Sequence, residues 1–78
     1  MRSYLRLRGW LVIRQQQGLG SHKGIADLYC LKGGRSVWVE IKTATGRQSD
    51  AQKQFEADVL TFGGEYWLVR SVDEAMHL

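Results

Sequence analysis

Apolar and polar residues alternate strictly in one segment of the chain, SVWVEIKT (36–43), and this alternation predicts a β-strand. Successive side chains of a strand point to opposite faces of the sheet, so the segment divides into two sets. One face carries Val37, Val39 and Ile41, and the other carries Ser36, Trp38, Glu40 and Lys42. The second face needs an explanation because an acid and a base stand next to a tryptophan on it.

The segment before this strand, IADLYCL (25–31), is rich in apolar residues and predicts a second strand. Between the two lies KGGR (32–35), whose Gly-Gly centre is a strong signal for a β-hairpin. A turn centred on Gly33 and Gly34 would pair Tyr29 with Trp38.

The clearest helical pattern is SDAQKQFEADVLTFGG (49–64). Ser49 and Gln52 have the spacing of a capping box at its start, and Gly63–Gly64 provide a stop signal at its end. The apolar stripe predicted for this helix comprises Phe55, Val59 and Phe62.

Shorter segments complete the predicted order of elements. They are a helix in RSYLRLRG (2–9), a strand in WLVIR (10–14), a loop in QQQGLGSHKG (15–24), a strand in EYWLVR (65–70) and a short helix in SVDEAMHL (71–78). The resulting order, α-β-β-β-α-β-α, predicts an α/β fold in which a small sheet packs against helices.

The length of 78 residues predicts a single domain spanning residues 1–78. A chain of this size buries only about 60% of the surface that its unfolded form exposes, so a metal or a partner subunit is expected to supplement the core. Cys30 is the only cysteine, which excludes a disulfide within the chain and favours a small core residue in a reducing compartment. The sequence has no apolar run of membrane-spanning length and no signal peptide, so we expect a soluble, intracellular protein.

The net charge of +3 is distributed unevenly along the chain. Residues 1–48 contain nine Lys or Arg and only two acids, Asp27 and Glu40, which gives +7. Residues 49–78 contain two Lys or Arg and six acids, which gives −4. A basic segment with two isolated acids suggests a polyanionic partner and a metal bound between the acids.

Asp27 and Glu40 face each other in the predicted register of the hairpin. Like charges directly opposite each other in a sheet are destabilising, because their Cβ atoms are only about 4.5–5.5 Å apart. A divalent cation between the two acids would remove this repulsion, and oxygen ligands favour Mg²⁺ or Mn²⁺ over zinc. An ordinary surface cluster, in which Lys42 neutralises both acids, explains the pattern about equally well.

The same residues carry a family resemblance. GIAD…VEIK, followed by TGRQSDAQKQF, resembles the PD-(D/E)xK nuclease superfamily and in particular its virus-type replication-repair branch, the VRR-NUC domain. That family has a Gly shortly before a metal-binding Asp, a Glu-x-Lys on the next strand and a Gln early in the following helix. The matching positions are Gly24, Asp27, Glu40, Lys42 and Gln52. The resemblance extends over nearly the whole chain and implies a PD-(D/E)xK nuclease core with a small mixed sheet flanked by helices.

The chain departs from the family pattern at two points. Ala26 stands where the family usually has Pro, and no acid precedes Asp27, although the family typically contributes a further Glu from its first helix. The second departure leaves open a site with a single metal. It also leaves open a catalytically impaired nucleic-acid-binding module with the same fold.

The resemblance implies a divalent-metal-dependent DNA endonuclease that hydrolyses phosphodiester bonds. Asp27, Glu40 and the main-chain carbonyl of Ile41 would bind Mg²⁺ or Mn²⁺, and Lys42 would orient the attacking hydroxide or neutralise charge on the phosphate. Gln52 would belong to the catalytic group, although the capping box alone also explains this residue.

Lys23, Arg47 and Lys53 flank these motifs and are candidates for contacts with DNA phosphates, although ordinary solvated charges would look the same. The implied partner is branched duplex DNA, cut as by a Holliday-junction resolvase during repair or recombination in bacterial or phage-infected cytoplasm. The implied working unit is a homodimer. Its apolar contacts are expected from the last strand and helix, at residues such as Trp67, Val69, Met76 and Leu78.

Overall fold

The computed structural model describes residues 1–16 and 22–78, so residues 17–21 of the predicted loop lie outside the described part of the chain. Four strands form one sheet: β1 (Leu11–Arg14), β2 (Leu28–Lys32), β3 (Arg35–Ile41) and β4 (Glu65–Val69). They lie side by side in the order β1-β2-β3-β4. The first three strands are mutually antiparallel, whereas β3 and β4 are parallel, which makes the sheet mixed.

Three helices accompany the sheet: α1 (Arg2–Leu7), α2 (Asp50–Thr61) and α3 (Val72–Ala75). Parallel neighbours need a long crossover connection, and α2 lies in the connection between β3 and β4. The order of elements and the mixed sheet with helices predicted from the sequence are confirmed.

The β2–β3 hairpin has the predicted register, with Tyr29 paired to Trp38 and Lys32 paired to Arg35. Gly33 and Gly34 form its two-residue turn with φ values of +55° and +83°. Two consecutive positive φ angles are what a type I′ hairpin turn requires, and glycine adopts them without steric cost. At its other end the ladder stops at the pair Leu28–Val39, one position before Asp27 and Glu40.

The capping residues that the sequence predicts are found at both ends of α2. Ser49 Oγ accepts a hydrogen bond from Gln52 N at 3.1 Å, and Gln52 Oε1 accepts one from Ser49 N at 2.8 Å, which completes the capping box. At the other end Gly64 N donates to Val59 O and Gly63 N donates to Leu60 O. These two bonds form a Schellman motif.

The two faces of the sheet are covered by different helices. One face packs with α1 and α3 around a buried cluster: Leu5, Trp10, Val12, Leu28, Cys30, Val37, Val39, Val69 and Ala75. On the other face, Phe55 of α2 lies edge-on against Trp38, with ring centroids 5.1 Å apart, and also contacts Tyr66. The face that bears Trp38, Glu40 and Lys42 is therefore partly covered by α2.

Some predicted boundaries and contacts are wrong. The second strand begins at Leu28 instead of residue 25, and the third ends at Ile41 instead of residue 43. Phe62 is not part of the buried stripe of α2, because it follows the last helical residue at the turn into Gly63 and is 89% exposed.

The predicted dimer contacts also need correction. Val69 is fully buried within its own chain because it lies on the sheet face covered by α1 and α3. Trp67 and Leu78 pack against the same cluster, which leaves Met76 as the exposed member of that group. Across the described residues, no helix is long and apolar enough to cross a membrane.

Candidate active site

Glu40 is the charged residue that the described part of the chain buries completely. Its Oε1 atom accepts hydrogen bonds from the Tyr66 hydroxyl and from Gln48 Nε2, the latter at 3.1 Å. Its Oε2 atom is buried and has no hydrogen-bond partner. The nearest cation is Lys42, whose Nζ lies 3.6 Å from Oε2. One oxygen of this carboxylate is thus held firmly, while the other faces an ammonium group.

Burying a carboxylate costs several kcal/mol unless hydrogen bonds and opposite charge offset the lost hydration. Tyr66, Gln48 and Lys42 provide that compensation for Glu40, but the Oε2 atom still lacks a donor. Buried polar atoms without partners are rare in folded proteins and call for an explanation, such as an ion or a functional role. The side chain of Lys42 is 20% exposed, so the pair it forms with Glu40 lies near the surface.

The end of β3 and the loop after it determine how these groups meet. Lys42 N donates to Val69 O at 3.0 Å, which extends the contact between β3 and β4 by one residue. Arg70 then donates to the carbonyl oxygens of Thr43 and Gly46, at 2.7 and 2.6 Å. The loop is folded back so that Gln48 reaches Glu40.

Gln48 links the sheet to α2. Besides Glu40, its Nε2 atom donates to Glu56 Oε1 at 2.9 Å, and Glu56 lies in α2. Gln48 is therefore the glutamine that contacts the buried acid, whereas Gln52 lies in the capping box with its Oε1 atom bonded to Ser49 N. The sequence pattern gave no signal for Gln48, because its position depends on the fold of the loop.

Tyr66 is a second residue that sequence reasoning missed. It lies opposite Trp38 in the parallel register of β3 and β4, and this places its hydroxyl at Glu40. Burial raises the pKa of Tyr66, and the hydrogen bond to the negative Glu40 carboxylate raises it further. The hydroxyl therefore remains protonated and acts as a donor. A register between strands separated by a helix could not be read from the sequence.

Asp27 precedes β2 and is half-buried. Its Oδ2 atom accepts a hydrogen bond from Ile41 N at 2.7 Å, and its main-chain oxygen accepts one from Gln15 N at 2.9 Å. The Asp27 carboxylate, instead of a main-chain carbonyl of β2, thus accepts the hydrogen bond from Ile41 N. This brings Asp27 to the same end of β3 as Glu40, Ile41 and Lys42.

Gly24 has a steric reason for being glycine. Its φ is +72°, and a Cβ atom built on it would lie 2.2 Å from the carbonyl oxygen of Ala51 in the first turn of α2. The segment that leads to Asp27 therefore packs directly against α2, with backbone touching backbone. The glycine of the motif GIAD joins the Asp27 segment to the helix that carries Gln52.

The remaining candidates from the sequence lie on the surface. Lys23, Arg47 and Lys53 are all exposed, and none forms an ion pair within residues 1–16 and 22–78. In the same part of the chain, no group of three or more His, Cys, Asp or Glu side chains is arranged to hold a metal.

Cys30 is fully buried, and burial raises the pKa of its thiol to about 11. A protonated thiol enclosed in the apolar cluster is a poor nucleophile.

No protein-family model, curated protein or solved structure matches the chain.

Proposed function

We propose that the protein is a divalent-metal-dependent DNA endonuclease of the VRR-NUC type, with a PD-(D/E)xK core. The main supporting observation is the fully buried carboxylate of Glu40, whose Oε2 atom has no hydrogen-bond donor and lies 3.6 Å from Lys42 Nζ. An acid that is buried beside a lysine despite the unfavourable free energy of desolvation is typical of a functional site. An apolar residue of similar size would fill the same space without the loss of hydration that burying a carboxylate entails. A purely structural role therefore does not explain the choice of Glu at position 40.

The available ligands are compatible with Mg²⁺ or Mn²⁺. Hard cations prefer oxygen, and Mg²⁺ is commonly held by one or two carboxylates while waters and substrate phosphate complete its coordination. Asp27 and Glu40 would supply the carboxylates, and the carbonyl oxygen of Ile41 is a further ligand by family resemblance. When bound, the metal lowers the pKa of a coordinated water and polarises the phosphoryl oxygen.

The chain's own groups would have distinct tasks. Tyr66 and Gln48 hold Glu40 through Oε1, which leaves Oε2 available to the cation. Lys42 would shift from Oε2 toward the substrate, where it would orient the attacking hydroxide or neutralise charge developing on the phosphate. Gln52 of α2 would belong to the catalytic group with Asp27, Glu40 and Lys42. Lys23, Arg47 and Lys53 would contact DNA phosphates.

The rival hypothesis is a nucleic-acid-binding module that has this fold but no activity. Its support is the absence of any acid before Asp27, which leaves two carboxylates for the metal. The two hypotheses differ in whether bound DNA is cut, because both predict binding. Plasmid and four-way-junction DNA should be incubated with the protein and Mg²⁺ or Mn²⁺, with a chelator as control. Cleavage that the chelator abolishes supports the endonuclease, whereas metal-independent binding without cleavage supports the module.

Metal binding can be measured independently of cleavage. Calorimetry with Mn²⁺ should show clearly weaker binding for Asp27→Asn and for Glu40→Gln, because each replaces a charged ligand by a neutral one. Asp73→Asn makes the same chemical change at an exposed site in α3 and should bind Mn²⁺ like the parent. Equal affinities in all four proteins would exclude the assigned ligands.

The proposal includes a homodimer that acts on branched duplex DNA. β1 is an edge strand, and two of its apolar residues, Leu11 and Ile13, are 58% and 42% exposed. Exposed edges of this kind can pair with a second copy of themselves around a two-fold axis. Light scattering at micromolar concentration should give about twice the chain mass of 8.9 kDa, and Ile13→Lys should reduce it to one chain. A monomeric parent without preference for junctions would contradict this part.

A further inference from the structure

A cleft opens at the end of the sheet where β1 finishes and β2 begins. Its volume is about 840 Å³, which is within the range of roughly 300–1,000 Å³ typical of small-molecule sites and large enough for a nucleotide. Its lining residues are Arg2, Arg14, Gln15, Gln16, Asp27, Leu28 and Ile41. The cleft therefore shares Asp27 and Ile41 with the candidate active site and adds residues from α1 and β1.

Arg2 and Arg14 are exposed in this cleft and form no ion pair within the described ranges 1–16 and 22–78. Two other arginines, Arg35 and Arg70, have structural partners. Arg35 pairs with Glu65 at 2.7 Å, and Arg70 donates to two loop carbonyl oxygens. Two guanidinium groups and one carboxylate, Asp27, line this concave surface, so its net charge is positive, and the low-dielectric walls of the cleft strengthen the local potential.

The chemistry of the lining suits a phosphate group. Arginine presents a planar fork of N–H donors that matches phosphate oxygens in a bidentate manner. The side chains of Gln15 and Gln16 add neutral amide groups that can donate to phosphate or sugar oxygens. Gln15 is anchored because its main-chain N–H donates to Asp27 O at 2.9 Å, so this part of the cleft is attached to the candidate metal ligand.

We infer that this cleft binds backbone phosphates of a nucleic-acid strand next to the Asp27 carboxylate. The inference rests on the proposed function and identifies substrate contacts for it, which are Arg2 and Arg14. Neither arginine was a candidate from the sequence, because residue 2 and residue 14 are far from the motifs along the chain. The fold brings them to Asp27 because α1 precedes β1 directly and β1 pairs with β2.

The test measures binding of a fluorescently labelled oligonucleotide by anisotropy in the presence of a chelator, so that no cleavage occurs. The parent is compared with the double variant Arg2→Gln/Arg14→Gln. The control is Arg6→Gln/Arg8→Gln, which removes the same charge from α1 and the residue after it without touching the cleft. Circular dichroism should confirm that both variants remain folded.

The cleft variant should bind at least about tenfold more weakly than the parent, because two charge-assisted contacts are lost, whereas the control should lose less than about threefold. The slope of log K against log salt should become shallower by about two in the cleft variant, since two phosphate contacts disappear. Equal losses in both variants, or no loss in either, would overturn the inference. A parent that binds no nucleic acid would overturn it as well.

A separate competition identifies the source of the phosphate. Inorganic phosphate at millimolar concentration and constant ionic strength should not displace the oligonucleotide, because a single phosphate lacks the other strand contacts. Displacement would show a site for free phosphate and would contradict the assignment to a strand. Arginine-dependent binding without metal-dependent cleavage would leave this inference standing and would refute the endonuclease proposal.

Discussion

Among the single residues of the described part of the chain, Glu40 is unusual because it is charged and completely buried. Its two oxygens have different surroundings, because Oε1 accepts two hydrogen bonds and Oε2 accepts none. The asymmetry arises from Tyr66 and Gln48, which approach from the side of β4 and α2, while Lys42 lies toward the surface. In the proposed nuclease, this arrangement would leave Oε2 available to a cation.

Tyr66→Phe should destabilise the protein, because it removes one of the two donors to a buried carboxylate oxygen. The loss in the free energy of unfolding should be about 1–3 kcal/mol, measured by urea denaturation. The matched control is Tyr4→Phe, since the Tyr4 hydroxyl accepts an exposed hydrogen bond from Arg8, and its loss should stay within about 0.5 kcal/mol. Equal stabilities of the two variants would argue against a structural need to hold Glu40.

Cys30 predicts a measurable dependence of stability on pH. Its pKa is about 11 in the folded protein and about 8.5 in an unfolded chain. The folded state therefore keeps a proton that the unfolded state loses, so the stabilisation is complete below about pH 8.5 and declines as pH rises toward 11. Urea denaturation should show a decline between pH 8 and 10.5 that is smaller in Cys30→Ala, by an amount on the order of 2 kcal/mol. Parallel pH profiles for the two proteins would contradict this explanation.

Among the elements, α2 determines the geometry of the site through its contacts with the sheet and with the neighbouring loops. Gly24 packs against the first turn of α2, Gln48 bonds to Glu56 within it, and Phe55 lies on Trp38 and Tyr66. These contacts connect the Asp27 segment, the loop after β3 and the face that carries Glu40. A displacement of α2 would therefore disturb both carboxylates together.

Gly24→Ala tests this junction, and Gly34→Ala is its control. Both glycines have positive φ, so both alanine variants should lose about 1–2 kcal/mol in the free energy of unfolding because alanine disfavours the left-handed backbone. Only at Gly24 would the new Cβ meet backbone, 2.2 Å from Ala51 O, whereas no atom lies within 4 Å at Gly34. Gly24→Ala should lose a further 1–3 kcal/mol, roughly the cost of overpacking, in urea denaturation. Equal losses would show that the close approach is unimportant.

The sequence predicted those elements whose signals are local. The Gly33–Gly34 turn gave the register of the hairpin, and Ser49, Gln52 and Gly63–Gly64 gave the ends of α2. The environment of Glu40 could not be predicted in the same way. It depends on Tyr66, which reaches β3 only after a helical crossover, and on Gln48, which is positioned by Arg70 from beyond β4.

Across the whole molecule, charge is distributed unevenly between two parts of the chain. The basic part, residues 1–48, contains α1, β1, β2 and β3, together with Asp27, Lys42 and the cleft of Arg2 and Arg14. The acidic part, residues 49–78, contains α2, β4 and α3. DNA is therefore expected to approach the end of the sheet where the basic residues and the two isolated acids meet.

If Lys42 and the two acids form a metal-dependent cleavage site, the rate of DNA cleavage should depend strongly on the Lys42 ammonium group. With Mg²⁺ or Mn²⁺, Lys42→Ala should cut plasmid or junction DNA about a hundredfold more slowly than the parent, or not at all. Its DNA affinity should change little, because Lys42 is one of eleven cationic residues. Lys32→Ala, at the far end of the hairpin, should cut like the parent. Cleavage by Lys42→Ala at the parental rate would exclude this group of residues as the cleavage site.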